Sequence, residues 1–172
     1  MSDYKPCTND YEPGPHNLTY SLSCRRRPAK NIANAFHRNE PNINVTAVYI
    51  DWVTDMNDDI IDDILHEVRP SSATLETLGL LRLQLTRVPE DVRHFTALKN
   101  CYLSVNPLKV LGEGSLTFSS QLETLTIANS QVESIEEGAF VGNRALTNFD
   151  WLISDEFFGC RWFFQNGHWS EL

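Results

Sequence analysis

Asp55, Asn57, Asp58, Asp59, Asp62, Asp63 and Glu67 crowd a short acidic run, and oxygen ligands at that density suggest a calcium loop. A loop of the EF-hand type needs Gly at its sixth position and an acidic twelfth. Counted from Asp55, those positions hold Ile60 and His66, so the acids are read instead as the solvated face and first turn of a helix. His16, His37, His66, His94 and His168 never pair at i,i+4 with a carboxylate partner in a metal-binding pattern. No nucleophile elbow, zinc-protease helix motif or phosphate-cradling glycine loop occurs. The sequence therefore offers no catalytic residues, no metal site and no cofactor site, and an enzyme is not expected.

The elements that could organise a function emerge from a repeat. In register, the chain reads Val45-x-x-Val48-x-Ile50, Leu75-x-x-Leu78-x-Leu80, Leu98-x-x-Cys101-x-Leu103, Leu122-x-x-Leu125-x-Ile127 and Leu146-x-x-Phe149-x-Trp151. Successive lines are 30, 23, 24 and 24 residues apart, and all but the first spacing fall in the range of roughly 20–29 residues typical of leucine-rich repeats. The middle lines continue with Leu85, Leu108 and Val132, then Val88, Leu111 and Ile135, then Phe95, Phe118 and Phe140. At the position where this repeat class carries a turn-bonding Asn stand Leu83, Asn106 and Ser130. Asn106 fits that role, Ser130 can substitute, and Leu83 departs from it. Cys101 occupies an inward apolar position, which makes it a buried, inert thiol rather than a nucleophile.

The expected fold is thus α/β: a leucine-rich-repeat solenoid with a short parallel β-sheet on its concave side, helices or irregular turns outside, and an N-terminal β cap. Ile60, Ile61, Ile64, Leu65 and Val68 lie on one helical face within the long first spacing, and Pro70 closes that helix. The expected division is a cap over residues 1–44, repeats over 45–152 and an aromatic tail or truncated cap over 153–172.

Such a repeat says where a surface should form, because residues between the inward positions of a strand point the other way. That face includes Tyr49, Asp51, Leu81, Tyr102, Thr126 and Asp150, with Gly79 in the same central column as the two tyrosines. Tyrosines among short polar side chains suit a protein or glycan partner. The alternative is a merely solvated sheet with the contact on the helix side.

Upstream, Leu18, Tyr20, Leu22 and Cys24 alternate with polar residues as in a half-buried strand, and Glu12-Pro13-Gly14-Pro15 reads as a turn or loop. Ile32, Ala35 and Phe36 form a short apolar pattern leading toward Val45. Cys7 and Cys24 bracket this segment, where a disulfide would close a loop with little core of its own. Glycosylation acceptors occur at Asn17-Leu18-Thr19, inside that loop, and at Asn44-Val45-Thr46. These features favour an extracellular setting. Residues 7 to about 150 resemble secreted leucine-rich-repeat proteins with a small cysteine-containing cap. The Cys7…Pro13-Gly14…Asn17-Leu18-Thr19-Tyr20…Cys24 arrangement is similar to arthropod proteins named after the non-catalytic subunit of shrimp luciferase. This resemblance implies a secreted partner protein without light-emitting chemistry. Many such caps carry four cysteines rather than two, which leaves the subtype open.

The carboxyl end leaves the repeat. Phe157, Phe158, Trp162, Phe163, Phe164 and Trp169 crowd it, and it reads as an aromatic cap, a partner interface or a chain cut short and joined to unrelated sequence. Cys160 has no obvious mate and no apolar leader opens the chain, which together suggest a fragment of a longer protein. The formal charge of −9 argues against a nucleic-acid partner, and no apolar stretch is long enough to span a bilayer. The leading expectation is an extracellular protein- or glycan-binding module without catalysis. The alternatives are a stabilising subunit for a separate catalytic chain and an intracellular adaptor with reduced thiols.

Overall fold

A computed structural model describes residues 7–13, 18–26, 28–29, 32, 44–117, 119–136, 138–151, 162–165 and 168–171. Seven strands share one sheet in the order β1 (Thr8–Pro13), β2 (Leu18–Arg25), β3 (Asn44–Asp51), β4 (Thr77–Leu81), β5 (Asn100–Tyr102), β7 (Thr124–Thr126) and β9 (Asn148–Asp150). β1 runs antiparallel to β2, and every later neighbour is parallel. On the return side β6 (Val110–Leu111) pairs with β8 (Ser134–Ile135), also in parallel. β10 (Trp162–Gln165) and β11 (His168–Glu171) form an antiparallel hairpin.

One register runs through β3, β4, β5, β7 and β9. Val48, Leu78, Cys101, Leu125 and Phe149 are direct neighbours across it, and all five are buried. Backbone bonds connect successive units outside the strands as well. The Glu76 N–H donates to Thr46, Lys99 to Glu76, Glu123 to Lys99 and Thr147 to Glu123, at 2.8–3.0 Å. Each segment thus repeats its predecessor one strand further on, and the apolar side chains of neighbours merge into one core. No single unit could cover its own apolar side, and stacking removes that surface from water.

Helix α1 (Asp58–Val68) fills the long spacing between β3 and β4. Asn57 caps it, its Oδ1 accepting the Ile60 N–H at 2.8 Å, and Asp58 and Asp59 place negative charge in the first turn. Ile61, Ile64, Leu65 and Val68 are buried, and the half-buried Ile60 packs against the same core. A 3-10 turn over Arg69–Ser71 carries the chain onward, with Pro70 near its start, where a missing N–H costs nothing. Among the described residues no helix is long and apolar enough to cross a membrane.

The amino-terminal segment differs in part from expectation. Glu12 and Pro13 are not a turn but the end of β1, paired with Thr19 and Leu18. Proline is compatible with that position because β1 is an edge strand and its outer side needs no N–H donor. Gly14, Pro15, Ala35 and Phe36 lie outside the described residues, whereas Ile32 is buried. β2 joins the sheet directly, with Tyr20 beside Val45 and Cys24 beside Ile50.

Candidate binding face

The strands bury one side and present the other. β5 and β7 each show a half-buried, buried, half-buried sequence centred on Cys101 and Leu125. The presented residues also run in register. Tyr49, Gly79, Tyr102, Thr126 and Asp150 form one column, and Ala47, Thr77, Asn100, Thr124 and Asn148 form the column beside it.

Gly79 is buried because the Tyr49 ring lies over it. A Cβ at Gly79 would stand 2.5 Å from Tyr49 Cδ1, closer than carbon atoms approach one another. Burial pushes the Tyr49 phenol above its ordinary 10.0, and the nearby Tyr102 adds to the shift. The two tyrosines therefore form one patch, with Tyr49 leaning across the glycine toward Tyr102. Beside it, Asn100 Nδ2 approaches Thr77 Oγ1 at 3.4 Å.

The other expected contact residues are less uniform. The Asp51 carboxylate is held by Arg25 Nε at 3.1 Å and by Arg82 Nη2, so it acts as an internal counter-ion. Leu81 and Thr126 are half-buried at strand ends, and their carbonyls accept the N–H groups of Trp52 and Leu103. Asp150 is half-buried, and its Oδ1 has no hydrogen-bond partner among the described residues. Asn44 opens β3 opposite Thr19, while Asn17 and Cys160 lie outside the described residues.

The register of β1 and β2 sets Thr8 opposite Ser23 and thereby brings Cys7 beside Cys24. Their Cα atoms are 4.4 Å apart and their sulfurs are bonded at 2.02 Å. Cys101 is free and fully buried, and burial raises its thiol pKa far above the ordinary value, leaving it protonated and inert.

Three of the acids near α1 are not a merely solvated face. The Asp55 carboxylate accepts the Ala29 N–H at 3.0 and 3.2 Å. Asp58 accepts the Thr86 N–H at 3.0 Å and the Thr86 hydroxyl. Asp62 accepts the Glu90 N–H at 2.9 Å and pairs with Arg87 Nη2 at 2.7 Å. That bond raises the Arg87 guanidinium above its ordinary value, as the bond from Asp91 does for Arg69. These oxygens are committed to the chain on either side of the helix, and no cluster able to hold a metal ion occurs among the described residues.

A second feature escaped the sequence reading. Arg26, Trp52, Arg82, Val105 and Asn129, each just past a strand of the sheet, adopt φ between 52° and 59°. This left-handed turn lets four of their N–H groups reach the next unit: Arg26 to Asp51, Trp52 to Leu81, Arg82 to Ser104 and Val105 to Ala128. Side chains seldom tolerate that conformation, least of all a β-branched one such as Val105. Extending the repeat register two residues beyond its third apolar position would have aligned four of the five.

No family model matches the chain. Over 55 residues, 32% of its length, it is 42% identical to Toll-like receptor 4 of Rattus norvegicus, a leucine-rich-repeat protein. Over 66 residues, 38% of its length, it is 35% identical to Toll-like receptor 4 of Equus caballus. The matched stretches span 6% and 8% of those receptors. The chain is thus similar to leucine-rich-repeat receptors over about a third of its length, and these relatives are receptors rather than enzymes. They lend no support to the luciferase-subunit resemblance.

Proposed function

We propose that the chain is a leucine-rich-repeat solenoid segment that works as an extracellular protein-binding module without catalysis or cofactor. In this reading residues 1–44 cap the stack, 45–152 form the repeats and 153–172 close or extend it. The partner lies against the open sheet face, centred on Tyr49 and Tyr102 and reaching Leu81, Thr126 and Asp150. The observation that carries the reading is the in-register column Tyr49–Gly79–Tyr102–Thr126–Asp150 on the side of the sheet away from the core. Two adjacent tyrosines among short polar side chains supply contact area at low conformational cost, as at other protein interfaces. The similarity to receptors supports a protein partner over a glycan. The Cys7–Cys24 bond supports an oxidising compartment, since such bonds rarely persist in the cytosol.

The test uses the full chain made through a secretory pathway, with a photo-crosslinking amino acid placed either at position 102 or at position 141. Val141 is the control because it is 64% exposed and does not lie on the sheet. Incubated with extracellular fluid of the source organism, the 102 variant should give discrete adducts that disappear in a Tyr49→Ala background. Adducts from 141 alone, or none from 102, would overturn the proposal. Non-reducing peptide mapping of the same material should recover the Cys7–Cys24 linkage and glycan on Asn17 or Asn44. Free thiols and bare asparagines would favour the intracellular adaptor instead.

A further inference from the structure

At the corner where strands β2, β3 and β4 turn away from the sheet, the Arg26 guanidinium lies 4.3 Å from the centre of the Trp52 ring, and that of Arg82 lies 5.6 Å from it. Arg26 and Arg82 come from the units on either side of Trp52, so the order across the corner is Arg, Trp, Arg. All three hold the left-handed backbone conformation, with φ of 52°, 55° and 55°. The same turn recurs at Val105 and Asn129 and so belongs to the repeat; what sets this corner apart is an indole left 42% exposed between two guanidinium groups.

The two arginines differ. Arg82 is tied to Asp51, whereas Arg26 makes no ion pair among the described residues. Arg26 and Trp52 line a cleft of about 600 Å³ together with Pro28, Thr54 and Asp55. The cleft therefore holds a fixed cation, a hydroxyl, a carboxylate already accepting the Ala29 N–H, and two apolar walls.

We propose that this cleft, apart from the tyrosine face, binds an extended segment of a protein partner through an acidic side chain. The Arg26 guanidinium, held over the indole 4.3 Å from its ring centre, offers a carboxylate the fork geometry that Lys does not supply. The Thr54 hydroxyl, also lining the cleft, meets the backbone N–H and C=O groups that any peptide carries. A polyanion such as a sulfated glycan needs several cations together, and Arg26 is the one cation lining the cleft among the described residues. A neutral sugar needs an open ring face for stacking, and guanidinium groups flank this one.

The test is an array of short random-sequence peptides probed with the full disulfide-bonded chain and with two variants, Arg26→Gln and Arg93→Gln. Arg26 and Arg93 are both exposed, and Arg93 lies away from the cleft, so neither change threatens the core. The expected result is Asp or Glu enrichment among peptides bound by the native protein and by Arg93→Gln. For the best binder, Arg26→Gln should weaken affinity by roughly tenfold and abolish the preference for Glu over Gln. Tyr102→Ala should leave this binding unchanged, which separates the cleft from the sheet face. Absence of acidic enrichment, equal enrichment in Arg26→Gln, or Arg26-dependent binding of a sulfated oligosaccharide in place of peptide would overturn the proposal.

Discussion

Asn106 serves two units at once. Its Oδ1 accepts the Leu83 N–H at 2.9 Å and the Leu85 N–H at 3.4 Å, while Nδ2 donates to the carbonyls of Leu80 and Leu103 at 2.8 Å. The previous unit, which has Leu83 where an Asn is usual, thus borrows its turn bonds from its neighbour, and Leu83 is free to be fully buried. Asn106→Ala should therefore cost roughly 2–5 kcal/mol in chemical denaturation, because several buried backbone groups lose their partner. Ser130 stands at the equivalent place, yet its buried Oγ has no partner among the described residues. Ser130→Ala should change stability by less than about 0.5 kcal/mol or raise it slightly. Equal losses for the two variants would contradict these roles. The repeat register pointed to both positions, but it could not say which would bond, since a Ser side chain is too short to bridge two units.

The Tyr49 and Gly79 pair gives a second test at the same scale. A phenol whose pKa is raised on folding keeps its proton longer in the folded state. Its stabilising contribution is complete below the unfolded value near 10.0 and is lost as pH climbs toward the folded value. Tyr49→Phe should flatten that part of the alkaline loss. Gly79→Ala should push the ring into water and return the Tyr49 titration toward its ordinary value, at a cost of roughly 1–3 kcal/mol. An unchanged Tyr49 titration in Gly79→Ala would show that the ring does not rest on the glycine.

At the scale of elements, α1 is tied to the next unit through its acids. Asp62 reaches Arg87 and the Glu90 N–H, whereas the exposed Asp63 contacts neither. Asp62→Ala should lower stability by roughly 1–2 kcal/mol, and Asp63→Ala by no more than about 0.5, as measured by urea unfolding. Similar effects from both would mean that the acids act only through the helix dipole. The helix itself was legible, because its Ile/Leu stripe and Pro70 agree. The tie to Thr86–Glu90 was not legible, because it joins side chains to backbone N–H groups 28 and 29 residues away. β1 was missed for a related reason. Its residues Thr8–Pro13 carry no apolar alternation and end on a proline, which only its edge position makes compatible with pairing.

For the molecule as a whole, the apolar period in the sequence coincides with the strand order. Lines that begin at Val45, Leu75, Leu98, Leu122 and Leu146 become neighbours in one parallel sheet. What that period could not supply was the corner, where Arg26, Trp52 and Arg82 stack through left-handed turns. The types of those residues follow no repeat, and only their backbone conformation does. The proposed binding function depends on the period, since a slip of one residue would exchange the buried and presented sets of every strand. Leu125 and Thr126 are adjacent in β7 and belong to opposite sets: Leu125 is fully buried and Thr126 is half-buried in the presented column.

Thermal unfolding of Leu125→Asp and Thr126→Asp, recorded side by side by circular dichroism, tests this arrangement most directly. Leu125→Asp places an unpaired charge between stacked units and should abolish the cooperative transition, whereas Thr126→Asp should keep it within about 1 kcal/mol of the native protein. A folded Leu125→Asp, or an equal loss in both variants, would contradict the register and with it the face assigned to the partner.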